Sequence, residues 1–299
     1  MKKVIVFGSN GYLGRHIIYF LKRDNIEFLP IDCAETSIDQ HLNYKQIDIV
    51  NSNEIDVLDF KVDYIFVFAG LTGTNIGFED YERFVAVNEI GLLNILNHHK
   101  NSNSVARIVF PSTRLVYKGL KNQPLKESAE KEAKTIYAQN KLACEQYLNM
   151  YQNYYGIEYT IFRICVPYGN LIDNNYSYGT LGFFLNKVKN NENIPLYGNG
   201  DQKRTFTHVG DIAKIIIQSI NSESTKNKVY NIGSNDNHSL LEVANMIASK
   251  NSIEVTLVEW PDEALKVESG DTIFDDVNLK QDVSFEYHFS LKEWLENMK

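Results

Sequence analysis

Cysteine, proline and tryptophan are scarce in this chain, with three, six and two copies among 299 residues. Cys33, Cys144 and Cys165 form neither a close pair nor a metal-ligand spacing, which excludes a disulfide framework and a cysteine metal site. So sparse and odd a set points to reduced thiols and a cytoplasmic home, each sulfur acting as a small apolar group near a core. No run approaches the roughly 20 apolar residues that span a bilayer. Lys2 and Lys3 lead into an apolar stretch too short for a signal peptide and without a small-residue cleavage site. A membrane partner is therefore not expected. Positive charge is also in deficit: 30 Lys and Arg stand against 38 Asp and Glu, for a formal net charge of −8. That balance argues against broad nucleic-acid binding and leaves room for a local basic pocket around one anionic ligand.

The chain does contain an alternation of short β-branched runs with helical periods. Residues 4–7, 27–31, 64–68, 107–110, 159–166 and 229–232 read as strands, with a weaker one at 46–49. Helical spacing marks 12–22, where Leu13, Ile17, Phe20 and Leu21 share one side, and recurs at 134–154, 211–220 and 239–249. The strand runs are continuously apolar rather than alternating. Strands of that kind are covered by helices on both faces, which predicts an α/β fold with a doubly wound parallel sheet. Residues 168–205, rich in Asn, Gly and Tyr, read as loops over a ligand crevice.

Gly8-Ser9-Asn10-Gly11-Tyr12-Leu13-Gly14 falls between the first strand and the first helix. Glycines there permit a tight turn, close approach of backbone to a pyrophosphate and close helix–strand packing. The helix N-terminus offers the phosphates its unpaired N–H groups. Asp32 ends the second strand about 20 residues further on, where a carboxylate can bond both ribose hydroxyls. Its charge would repel a 2′-phosphate, and no Arg or Lys follows in the next dozen residues, so NAD is favoured over NADP.

Tyr137 and Lys141 are four residues apart inside the 134–154 helix, one turn apart on one face. A free phenol has a pKa near 10 and is a weak base at neutral pH; a neighbouring ammonium and a positive nicotinamide ring both favour phenolate. Spacing alone is unspecific among 18 tyrosines, and Tyr117 with Lys121 matches it too. That second pair contains Gly119 and directly follows a strand, so it is not expected on a helix. Upstream, Ser112 and Thr113 end the 107–110 strand on the ligand side of such a sheet, and either hydroxyl can hold the substrate oxygen.

With these residues in view, the sequence resembles the extended short-chain dehydrogenase family of nucleotide-sugar epimerases, dehydratases and reductases. The motifs run in order from about residue 3 to 295: the glycine-rich turn, Phe68-Ala69-Gly70, Asn88 before Gly91, the Ser/Thr segment ending Val116-Tyr117, and Tyr137/Lys141. Arg163 with Pro167 and Gly169 follows, then Gly198 to Arg204, His208-Val209-Gly210-Asp211, Tyr230-Asn231-Ile232-Gly233 and Gly270-Asp271. The resemblance implies a Rossmann-type domain over 1–168, rejoined by 206–234, and a smaller C-terminal substrate-binding lobe from 169–205 and 235–299. It implies Thr113, four residues before Tyr117, as the catalytic hydroxyl, Tyr137 as base and acid, and Lys141 as the group that binds the nicotinamide ribose and tunes Tyr137. Around NAD it places Gly8, Asn10, Gly11, Tyr12, Leu13, Gly14, Asp32, Asp48, Ile49, Phe68, Ala69, Gly70 and Asn88. On the substrate, a nucleotide-diphosphate sugar, it places Thr72, Thr113, Arg114 and Arg204, the last on the diphosphate. It implies no metal, and a homodimer through two helices.

Family dehydratases carry an Asp-Glu pair directly after the catalytic Thr, and a family decarboxylase keeps the Glu; here Arg114 and Leu115 stand there. Epimerase and 4-ketoreductase readings remain, with Asp32 leaning toward a C4 epimerase that retains NAD, and a non-catalytic dinucleotide sensor is the outlying alternative. Three departures bear on the substrate. Val166 replaces an Asn, Lys118 replaces a Gly, and Val267 and Glu268 stand where an arginine often precedes the late Gly-Asp, with Lys266 as a nearby substitute. His98 and His99 read as satisfying the carbonyls at the end of their own helix, and Tyr147, Tyr151, Tyr154 and Tyr155 read as a packing face or a subunit contact.

Overall fold

Alternate residues of the central strands go to opposite faces of the sheet, and both faces are buried. In the strand Lys3–Phe7, Val4 and Val6 enter one hydrophobic cluster while Ile5 and Phe7 enter another. Tyr64–Val67 divides in the same way, Tyr64 and Phe66 against Ile65 and Val67. This is the physical content of the continuous apolar runs: a period of two with no solvent face. The computed structural model describes residues 2–173, 179–233 and 236–298. Among them a seven-stranded parallel sheet runs Lys228–Ile232, Tyr159–Ile164, Arg107–Thr113, Tyr64–Val67, Lys3–Phe7, Glu27–Asp32, Lys45–Gln46. Strand order reverses between Lys3–Phe7 and Tyr64–Val67, which opens a crevice at their carboxyl ends.

Helices cover the two faces. Ile17, Ile18, Phe20 and Leu21 of Tyr12–Arg23 pack with Ile212, Ile215 and Ile216 of Val209–Ser219 on one side. Leu92, Ile95 and Leu96 of Gly91–Asn101 join Cys144 and Leu148 of Ile136–Tyr155 on the other. Each such side chain contributes roughly 1.5–3 kcal/mol by leaving water. A third cluster lies in the C-terminal part, where Val116, Phe184, Ile194, Phe206, Val243, Ile247 and Leu295 meet. Around it Lys203–His208 pairs in parallel with Val166–Tyr168 and antiparallel with Asn237–Ser239, and Ile194–Tyr197 pairs with Val255–Val258. No helix among the described residues is long and apolar enough to cross a membrane.

Four local expectations are corrected. The weak strand at 46–49 shrinks to Lys45–Gln46, and Ile47 and Ile49 beyond it are buried in the core cluster that holds Ile5 and Phe7. The loops expected over 168–205 contain the helix Gly179–Lys189, which buries Leu181 and Phe184, and the strand Ile194–Tyr197; residues 174–178 of that stretch lie outside the described residues. The histidines do not cap their own helix: His98 bonds Asp56 and the carbonyl of Leu58, and His99 the carbonyl of Ala106, tying the helix to neighbouring segments. Cys33 is exposed, unlike buried Cys144 and Cys165. Among the four tyrosines of the long helix, Tyr147 and Tyr151 pack on the core, whereas Tyr154 is 81% exposed.

One buried polar network ties that helix to the sheet. Glu145 receives two hydrogen bonds from Arg163 on the strand Tyr159–Ile164, Nε to Oε1 at 2.9 Å and Nη2 to Oε2 at 2.5 Å. Ser112 donates to the same Oε1 at 2.5 Å. Arg163 also donates to the Tyr117 hydroxyl at 2.7 Å, which donates its own proton to Asn231 at 2.6 Å. Removing one partner of a pair buried this completely leaves an uncompensated charge. Arg163→Met is therefore expected to cost about 3–5 kcal/mol, read as a lower urea midpoint at unchanged slope; a midpoint equal to that of the parent chain would mean the pair does not hold the helix.

Candidate active site

The glycine-rich turn is closed so tightly that side chains are excluded by contact. Gly8 has φ +83°, and a Cβ there would lie 2.4 Å from the Ala69 nitrogen; a Cβ on Gly14 would lie 2.0 Å from the Gly8 carbonyl oxygen. Gly8 and Ser9 both donate their N–H to the Ile31 carbonyl, at 2.9 and 3.0 Å, so the turn hangs on the second strand. Gly11 caps the helix Tyr12–Arg23 without a side-chain acceptor, which leaves first-turn N–H groups for a phosphate. These features fit a pyrophosphate cradle. Tyr12 reaches across to the Gly169 carbonyl at 2.7 Å, while Leu13 packs partly on the core.

Asp32 stands at the end of its strand with Oδ2 accepting from the Asn10 N–H at 3.0 Å and Oδ1 from the Ala34 N–H at 3.3 Å. The Asn10 side chain is turned the other way. It accepts from the Ile38 N–H and donates to the Thr36 carbonyl, both at 2.9 Å, stapling the loop after Asp32 to the glycine turn. Asp48 is exposed at the rim and accepts from the Val50 N–H at 3.0 Å. Ile49 is buried beneath Gly91, whose lack of a Cβ makes room for it. Arg15 escaped the sequence reading. It grips Asp39 with two hydrogen bonds, at 2.9 and 2.7 Å, and Asp173 with a third at 2.8 Å, and both carboxylates hold its guanidinium charged. A cation close to the dinucleotide end of the sheet is thus already neutralised, which leaves it unsuited to a 2′-phosphate. Partners this distant in sequence gave no signal.

Phe68, Ala69 and Gly70 continue the strand Tyr64–Val67 into the crevice. Asn88, in a single π-helical turn at Ala86–Ile90, fixes the loop behind them. Its Oδ1 accepts from the Leu71 N–H at 2.7 Å, and its Nδ2 donates to the Leu71 carbonyl at 3.1 Å and to Asn140 at 3.3 Å. Asn88 therefore meets the crevice through this loop and through the helix that carries Tyr137.

A cleft of about 220 Å³ lies at the carboxyl ends of these strands. Gly11, Tyr12, Leu13 and Gly14 form one wall, Phe68, Gly70 and Thr72 the next, and Thr113, Tyr137 and Lys141 face them. Pro111 and Ser112 flank Thr113 in the lining, and Ile164, Cys165 and Pro167 join it; sequence reasoning assigned none of these last three to the site. The helix Ile136–Tyr155 starts where Thr135 accepts the Ala138 N–H at 3.1 Å, and it places Tyr137, Lys141 and Glu145 on one row. Lys141 is buried, with Nζ 4.3 Å from the centre of the Phe110 ring. Burial pushes its pKa down to about 8, with Cys144 and Glu145 opposing more weakly. The two neighbouring hydroxyls differ. Ser112 is engaged by Glu145, whereas Thr113 only accepts, from the Leu115 N–H at 3.3 Å, and its own proton has no recorded acceptor among the described residues.

Arg114 and Arg204 are absent from that lining. Both sit against the loop at 268–270. Arg204 is 2% exposed and donates to Glu268 at 2.6 Å and to the carbonyls of Lys203 at 2.9 Å and Gly270 at 2.5 Å. Arg114 is half-buried and donates to the Ser269 hydroxyl at 3.0 Å.

Known proteins resemble this chain along most of its length. The putative UDP-glucose 4-epimerase of Methanocaldococcus jannaschii is 28% identical over 250 residues, covering 82% of this chain and 81% of that protein. The dTDP-D-glucose 4,6-dehydratase of Mus musculus is 26% identical over 257 residues, covering 81% and 71%. The crystal structure of the Thermus thermophilus UDP-glucose 4-epimerase complexed with NAD has a TM-score of 0.84 at 20% identity, covering 99% of this chain and 98% of that one. The sequence model of the NAD dependent epimerase/dehydratase family matches residues 4–233. The chain belongs to that family, and its cofactor is NAD.

Proposed function

We propose that this chain is a C4 epimerase of a nucleotide-diphosphate sugar. The observation that carries the reading is the cleft wall in which Thr113, Tyr137 and Lys141 face the glycine-rich turn, with Arg114 and Leu115 directly after the threonine. NAD, when bound, supplies reversible hydride exchange with a sugar carbinol. Gly8, Gly11 and Gly14 hold the pyrophosphate against the helix N-terminus, and Asp32 accepts from ribose hydroxyls. Tyr137 takes the proton from the C4 hydroxyl as the 4-keto sugar forms and returns it after the sugar has turned over in the cleft. Lys141, held at the back of the cleft by Phe110, lowers the cost of the phenolate by its charge. Thr113, whose proton is not drawn to Glu145 as that of Ser112 is, donates to the C4 oxygen. Dehydration needs an acid and a base at the adjoining carbons; a guanidinium stays protonated and leucine has no proton to move.

Two helical segments, Tyr81 to Asn101 and Ile136–Tyr155, supply the face for a homodimer. Tyr81, Val85, Ile90, Met150 and Tyr154 are exposed along them. Sedimentation equilibrium should therefore give twice the chain mass, and Tyr154→Glu should shift it toward one chain; a parent protein that sediments as a monomer removes this part of the reading.

The reaction is tested by identifying the dinucleotide released on denaturation and then incubating the protein with UDP-, dTDP-, GDP- and CDP-sugars. A C4 epimer formed without added reductant supports the proposal, and consumption of a 4-keto sugar only with added NADH or NADPH replaces it with a reductase. Tyr137→Phe should lower turnover at least ~100-fold, the lower end of what positioned proton transfer contributes, with NAD binding unchanged; full activity in that variant rules out the assignment.

Lys141 adds a pH signature. Its value of about 8 lies below the ordinary 10.5, so between these two pH values the unfolded chain holds a proton that the folded chain lacks. The cost of burying the charge is thus complete below pH 8 and is relieved as pH rises toward 10.5. Without cofactor, Lys141→Met should be more stable than the parent at pH 7 by up to about 3 kcal/mol. Urea titrations at pH 7 and pH 10 should show that gap closing, and a constant gap would mean that Lys141 is not desolvated.

A further inference from the structure

At the loop 268–270 two guanidinium groups stand beside a single carboxylate, Glu268. Arg204 donates through Nη1 to two backbone carbonyls and through Nη2 to Glu268. Glu268 Oε1 also accepts from the Gly270 N–H at 2.9 Å, so this one oxygen serves both a guanidinium and an amide. The Glu268 backbone carbonyl is held in turn by Lys134 at 2.9 Å. On the other side of the loop, Arg114 has a hydroxyl partner in Ser269 and no ion pair among the described residues. Burial and then the neighbouring Arg204 push its pKa down to about 10, so an added anion would relieve it. Of the two guanidinium groups, only Arg204 holds the carboxylate. The Glu268 side chain is 22% exposed, which gives it a way out to water, whereas the Arg204 side chain is 2% exposed and has none.

We propose that Arg204 and Arg114 form one anion site in which Glu268 is the resident counter-ion, and that the diphosphate of the nucleotide sugar enters by displacing it. The inference rests on the nucleotide-sugar reading above and adds how that substrate is admitted. A diphosphate carries a negative charge on each phosphate and can satisfy both guanidinium groups, where one carboxylate satisfies only Arg204. Displacement also leaves the Gly270 N–H without its carboxylate acceptor. Glu268 therefore acts as a built-in competitor that raises the concentration of substrate needed to occupy the site, and Arg114 is a specificity residue for the second phosphate.

The test uses NAD-loaded protein and isothermal titration with UDP, dTDP, GDP and CDP. Glu268→Gln keeps a hydrogen-bond acceptor and removes the competing charge, so the preferred nucleoside diphosphate should bind about tenfold tighter; Arg114→Leu should bind it about tenfold weaker, both changes typical of a close charge pair. Unchanged or weaker binding by Glu268→Gln overturns the proposal, as does unaltered binding by Arg114→Leu. Because either variant can fail to fold, a measurement on the parent chain stands beside them. Amide exchange at Gly270 should speed up when the nucleoside diphosphate binds, since the amide loses its carboxylate acceptor, and slower or equal exchange overturns the displacement. The two readings separate cleanly. If the parent binds a nucleoside diphosphate but neither variant nor Gly270 responds, only this inference falls; if neither parent nor variants bind any of the four, the nucleotide-sugar reading falls with it. Binding by Glu268→Gln alone supports the displacement outright.

Discussion

The Glu145 carboxylate holds in register the two elements that bring Thr113, Tyr137 and Lys141 to the cleft. Arg163 clamps it from the strand Tyr159–Ile164, and Ser112 bonds it from the strand Arg107–Thr113. Tyr137 and Lys141 precede Glu145 on the same helical row, and Thr113 follows Ser112 directly, so the hydroxyl, the phenol and the ammonium are all referred to one anchored group. Apolar packing of Cys144 and Leu148 keeps the helix on the sheet without specifying its rotation to the precision that proton transfer needs. Directional, charge-assisted hydrogen bonds supply that rotation. The same network continues through Tyr117 to Asn231, so the strand Lys228–Ile232, which enters the sheet after a long excursion of the chain, is fastened to the same point.

Against that background the treatment of positive charge is uneven. Arg163, Arg204 and Arg15 each bond a carboxylate, and Arg107 lies within 4.0 Å of Glu158 and Glu223. Lys141 is comparably buried and has no carboxylate within ion-pair distance among the described residues, only an aromatic ring. A structural lysine in that position would be replaced by a neutral residue at a gain in stability. In the proposed reading its exposed field is the point: a charge already cancelled by Glu145 could not stabilise a phenolate one turn away. Arg114 too has no carboxylate within ion-pair distance among the described residues, and it stands beside the region that the proposal assigns to substrate.

Much of this was legible in the sequence wherever the constraint is local. The glycine spacing reports contacts within one turn, and the structure accounts for Gly8 and Gly14 by collisions a side chain would suffer. The Tyr137–Lys141 spacing reports one helical turn, and the apolar runs report burial on both faces. What stayed hidden depends on residues far apart in the chain. Nothing near Arg15 announces Asp173, and nothing near Glu145 announces Ser112. The helix Gly179–Lys189 was masked by the Asn, Gly and Tyr around it, although Leu181, Phe184 and Leu185 hold helical spacing. At 98–99 the fault lay in the inference: histidines in a last turn can cap it, but here packing against 56–58 and 106 gave them nearer carbonyls and a carboxylate.

Overall identity does not choose the reaction, since the putative Methanocaldococcus epimerase and the mouse dehydratase match at 28% and 26%. The choice turns on the positions that follow Thr113. Proton abstraction from a carbinol requires one base, and in the proposed reading Tyr137 serves it. Elimination of water requires a further acid and base set against neighbouring carbons, and side chains that follow the catalytic threonine are placed to supply them. In this chain the first of those side chains reaches away, to Ser269 and toward Arg204, and the second is leucine. In the proposed reading, the arginine that follows Thr113 both withholds an acid from that position and sets a second cation near Arg204. On that reading, reaction type and substrate grip are coupled through Arg114.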